Sequence, residues 1–207
     1  MPDTTYNEFM QYEEMKAKHD YFTRLTGKSG KHIAQQIAAF SAFTEGMQLF
    51  SSFIMLLNFP RNGTMKGMGQ IITYSIIDES IHTEAMIALF RRFIEENREL
   101  WNDELKGEIY NIAKKMVELE DKFIDLAFSM GPMKGLTADD VKHYIRYIAD
   151  RRLISLGMKG VYKVKKNPLP WVEQMINAPI HTNFFENRST DYAKGALTGS
   201  WEDVWAK

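Results

Sequence analysis

Ile76-Ile77-Asp78-Glu79-Ser80-Ile81-His82 sets three ionisable groups inside an otherwise oily run. Its neighbours Ile71, Ile72, Ala85 and Met86 continue the apolar pattern at helical spacing, which predicts a buried helix. Burying charge costs several kcal/mol per group unless the charge is paired or bound to a metal. A second carboxylate, Glu45, stands one predicted helix earlier in an even more apolar stretch, residues 37–59. A Glu-x-x-His step on one helix and a Glu on its neighbour form half of the donor set with which helical bundles hold a pair of metal ions.

Helical spacing recurs outward from this stretch, and strand signals are almost absent. A polar first helix is expected over 6–24, closed by Thr26-Gly27-Lys28-Ser29-Gly30. Residues 31–57 read as a long central helix, apolar nearly all round, stopped by Pro60-Arg61-Asn62-Gly63. Further helices are expected over 65–96 and 103–130, the latter broken by Gly131-Pro132. Thr137, with Asp140 three residues on, predicts an N-cap for a helix running to about Gly157. A short apolar segment, 171–176, follows Asn167-Pro168-Leu169-Pro170. Beyond Pro179 aromatics scatter among Gly, Ser, Thr and Asn. The expected organisation is therefore an all-α body over 1–178 and an extended tail over 179–207.

Composition removes several classes of function. The 207 residues carry 26 basic and 27 acidic side chains, a formal net charge of −1, so no basic face for nucleic acid is expected. There is no cysteine, which excludes disulfides, thiolate metal ligands and a cysteine nucleophile, and fits a cytoplasmic protein. The polar, acidic N-terminus reads as neither a signal nor a basic transit peptide. The apolar run 37–59 is long enough to span a bilayer. Its internal carboxylate favours a core helix, with no membrane partner.

The spacing also bears on convergence. Glu45 lies twelve residues before Leu57 and Glu79 fourteen after Met65, about 18 and 21 Å of helix. Two antiparallel helices joined by a short turn would return both carboxylates to one depth, with His82 on the face of Glu79. Glu45, Glu79 and His82 then suit iron or manganese. Two blander readings stay open at this point: an Asp78–His82 hydrogen bond, and Glu45 paired with Arg151 or Arg152.

These residues resemble the small, radical-generating subunit of class I ribonucleotide reductase, and nearly the whole chain resembles the second half of that subunit. Glu79 follows Glu45 by 34 positions, as in the family, and Asp78-Glu79-Ser80-Ile81-His82 matches its Asp-Glu-x-x-His. Glu45-Gly46-Met47-Gln48-Leu49-Phe50-Ser51-Ser52-Phe53 is similar to the family's ligand helix. Tyr147-Ile148-Ala149-Asp150-Arg151-Arg152-Leu153 and Asn167-Pro168-Leu169-Pro170-Trp171 match further motifs in the same order.

The resemblance implies a ferritin-like helical bundle and a carboxylate-bridged dinuclear centre, iron first and manganese second. Glu45, Glu79 and His82 would be three of its six ligands. The others would come from a complementing N-terminal half, as part of a split gene or a truncated reading frame. Asp78 matches the aspartate that hydrogen-bonds a metal-ligand histidine and links it to a tryptophan on the radical-transfer path, both from the absent half. Tyr192 matches the tail tyrosine that passes the oxidising equivalent to the large subunit, and Glu186 a tail glutamate. The activity implied is that of a ribonucleoside-diphosphate reductase small subunit. It would be active only as a dimer of completed subunits with the large subunit, in deoxyribonucleotide synthesis. Two other readings are a non-catalytic fragment that binds the large subunit and another dimetal-carboxylate oxidase of ferritin-like fold.

Overall fold

The computed structural model describes residues 8–176. A 3-10 turn, Glu8–Gln11, precedes α1, Glu13–Arg24, so the first expected helix is split at Tyr12. The central helix α2, Gly30–Arg61, is the one helix among the described residues long and apolar enough to cross a membrane; 67% of its most apolar window is buried inside the protein. Ser29 caps it, accepting a hydrogen bond from His32 N at 3.3 Å. Helix α3 spans Lys66–Glu96, α4 Asp103–Ser129, α5 Ala138–Ser155 and α6 Pro170–Ile176. Asn102 caps α4 through Leu105 N, and Thr137 and Asp140 form the expected capping box on α5. A single isolated bridge, Met133 to Leu136, is the sole extended pairing among the described residues.

One local feature departs from the sequence expectation. Residues Ala39–Gln48 of α2 form a π-helix, a wider turn whose bonds run from i to i+5. Thr44 Oγ1 donates to Ala39 O five residues back, at 3.3 Å, in keeping with that register. Apolar periodicity does not distinguish this turn from an ordinary one. Helix α2 ends within the expected stop at 60–63, running one residue past Pro60 to Arg61 with Asn62 as its C-cap. Gly69 of α3 makes room for the Pro60 ring, since a Cβ there would come within 2.6 Å of Pro60 Cγ.

Helix α2 is the axis of the core. Phe43, Met47, Ile54 and Leu57 on it are fully buried, as are Ile109, Met116 and Ile124 of α4 and Ile145 and Leu153 of α5. Helix α3 packs on α2 through Ile76, Ile87 and Phe90. Its opposite face is uncovered: Ile71 is 60% exposed, Ile81 59% and Leu89 49%. This corrects the expected burial of the flanks of Asp78 and His82. The apolar pattern of α3 continues round the helix, but α2, with α6 also touching α3, leaves Ile71, Ile81 and Leu89 uncovered.

Candidate metal centre

Glu45 lies in the π segment of α2, and Glu79 and His82 lie on adjacent turns of α3. The two helices run antiparallel from the turn at 62–65, where Gly63 and Met65 adopt positive φ, 84° and 50°. That turn returns the chain at the depth the spacing predicts. One ligand atom each from Glu45, Glu79 and His82 lie within 4.8 Å of one another. His82 Nδ1 is 3.7 Å from Glu79 Oε2.

The electrostatics of the group are unbalanced. Glu45 Oε2 is buried with no hydrogen-bond partner among the described residues. Burial pushes the Glu45 carboxyl above the usual carboxylate range, and the charge of Glu79 pushes it further; His82 opposes both. Two hard oxygen donors and an imidazole around an unsatisfied buried oxygen fit a divalent cation of the iron or manganese kind. His82 and Glu79 sit at the edge of the uncovered face of α3, with side chains 59% and 25% exposed.

Of the other expected site residues, Asp78 lies exposed one turn before His82, on the same face. Tyr192 and Glu186, with the expected boundary at 178 and the whole tail, lie outside the described residues. Arg152, considered above as a partner for Glu45, instead donates from Nε to the carbonyl of Gly46 at 2.8 Å.

Two buried acids escaped the sequence reading. Asp150, within the Tyr147–Leu153 stretch, accepts from Tyr162 N and Val164 N, both at 2.9 Å, and pins the loop after α5. Glu120 is fully buried on α4, where Ser51 donates to it and Lys18 Nζ lies 2.7 Å away. Its position among Met116, Val117 and Ile124 on one helical face was the available signal.

An all-helical body with carboxylates and an imidazole gathered between two long antiparallel helices defines a ferritin-like class of fold. Two solved structures share it: a putative class I ribonucleotide reductase from Bacillus halodurans (TM-score 0.77, 23% identity) and the ribonucleotide reductase R2 subunit from Clostridium botulinum (TM-score 0.76, 21% identity). Each likeness covers 84% of this chain, and 64% and 56% of those chains respectively. The chain belongs to the family "Ribonucleotide reductase, small chain", whose model matches residues 2–168. It is 52% identical to a probable ribonucleoside-diphosphate reductase small subunit of Invertebrate iridescent virus 3, over 97% of this chain. It is 33% identical to a ribonucleoside-diphosphate reductase subunit beta of Chlamydia pneumoniae, over 90% of this chain. The matches span 58% and 57% of those relatives.

Proposed function

We propose that this chain supplies Glu45, Glu79 and His82 to the dinuclear metal centre of a ribonucleoside-diphosphate reductase small subunit. The observation that carries the reading is the convergence of these three groups within 4.8 Å around a buried, unpartnered Glu45 oxygen, in a chain of this family. Iron is the proposed metal and manganese the second candidate. When bound, the metal pair supplies oxidising chemistry with dioxygen.

The chain's own residues do the rest. Glu45 presents a buried, unpartnered oxygen from α2 toward α3. Glu79 and His82 face the open side of α3, where ligands from elsewhere would reach the same ions. Those ligands are assigned to a complementing N-terminal half. Asp78 is assigned to the radical-transfer path, as the carboxylate that hydrogen-bonds a ligand histidine of that half and links it to a tryptophan there. Tyr192 and Glu186 are assigned its continuation to the large subunit. The completed subunit is proposed to act as a dimer in the cytoplasm, and the ribonucleotide is bound by the large subunit.

The test is reconstitution. This chain, mixed with a chain carrying the missing Asp, Glu-x-x-His and Tyr, is given ferrous iron and oxygen and examined by electron paramagnetic resonance. A tyrosyl radical is expected in the mixture, and its loss with Glu79→Ala. A radical from this chain by itself would refute the proposal.

A further inference from the structure

We infer that Arg152 of α5 is a positioning residue for Glu45, locking the π segment through the Gly46 carbonyl; this rests on the metal reading above. Arg152 is half-buried, and burial holds its guanidinium below the usual arginine range. A guanidinium withdrawn from water ordinarily takes a carboxylate partner. Among the described residues no carboxylate lies in salt-bridge contact with it. Its Nε is spent on Gly46 O at 2.8 Å, one residue beyond Glu45, and its Cζ lies 5.7 Å from the centre of the Phe50 ring.

Gly46 is shaped to this contact. A Cβ there would stand 2.8 Å from Arg152 Nε, 2.9 Å from Ser41 O and 3.0 Å from Thr83 Cγ2. Thr83 is fully buried and directly follows His82. Three elements therefore meet at one backbone position: the π turn bearing Glu45, the α3 turn bearing His82, and Arg152 reaching in from α5. A π turn is a local departure from the commoner α register, so it persists only where the surroundings select it. The Arg152 hydrogen bond is such a selection, and it fixes the depth from which Glu45 reaches toward Glu79. The role is geometric rather than a matter of charge, since Arg152 is not among the groups that shift the Glu45 carboxyl.

The test uses manganese(II) and the full 207-residue chain, with free ion measured by its paramagnetic resonance signal and helicity by circular dichroism. The wild-type chain is expected to bind weakly, and Glu45→Gln to weaken binding further. Arg152→Met is expected to cost about tenfold to a hundredfold in affinity, the range seen when a group orienting a ligand is lost. Arg152→Lys, which keeps the charge and the stem but not the Nε donor, is expected to show the same loss, and it decides the matter should the methionine variant fail to fold. Arg151→Met, removing an exposed charge one residue away, is expected to bind as wild type. Wild-type affinity in Arg152→Lys, or equal losses in Arg151→Met and Arg152→Met, overturns the role of Arg152. Binding untouched by Glu45→Gln defeats the metal reading itself, and the inference with it.

Discussion

Glu120 shows what a single buried acid contributes when its partners come from two other helices. Burial pushes its carboxyl above the usual range, while Lys18 and Ser51 pull it back and Asp121 adds a further push. An acid with a higher pKa in the folded state holds its proton more tightly there. Stability from this group is therefore greatest below about 4.5 and falls as pH rises toward the folded value. Glu120→Gln is expected to gain stability relative to wild type between pH 4.5 and 7, as read by urea unfolding at both pH values. An equal difference at the two would show that the carboxyl is not shifted. Asp150 is the opposite case, a carboxylate satisfied twice by backbone N–H groups. Asp150→Ala is expected to cost about 3 kcal/mol, because both donors lose a charged acceptor. An unchanged urea midpoint would mean the loop is held by its other contacts. Neither partnership was legible in the sequence, since Ser51 and Glu120 are 69 residues apart. The Thr137–Asp140 box was legible, because both halves lie within one turn.

At the scale of elements, α3 combines a core face with a row of exposed positions, Ile71, Asp78, His82, Ala85 and Leu89. Those positions recur at three-, four- and seven-residue steps, the spacing of a helix seam awaiting another helix. Ile81 borders the row and is equally exposed. Ile81→Glu is expected to leave the chain's own stability within about 0.5 kcal/mol, because little is packed there. The same change is expected to weaken assembly with the complementing half by about tenfold or more, since a charge would be buried unpaired. Calorimetric titration of the two chains checks it; wild-type affinity would place the interface elsewhere. Helix positions and caps were legible to within a few residues from periodicity and punctuation. The exposed face of α3 was not, because an apolar pattern reports which positions shun water and not which element covers them.

At the scale of the whole molecule, the described body gathers the three proposed metal ligands, and the tail is proposed to carry the link to the large subunit. Removal of residues 180–207 is expected to abolish large-subunit binding in a pull-down while leaving manganese(II) affinity unchanged. Loss of metal binding in that variant would mean the tail belongs to the centre. Retained large-subunit binding would defeat the assignment of Tyr192 and Glu186.

Residue types and spacing were enough to determine an all-helical body over the described residues, the antiparallel pairing of its two longest helices, and the depth at which Glu45 meets Glu79 and His82. Each depends on distances along the chain, which a regular helix converts directly into distances in space. Only the tertiary structure decided that Glu45 rides on a π turn, that Arg152 serves the Gly46 carbonyl rather than the Glu45 carboxylate, and that His82 stands at an open edge. Those outcomes depend on surfaces that meet far apart in sequence, 106 positions for Arg152 and Gly46, where packing between helices selects among arrangements that local pattern leaves equal.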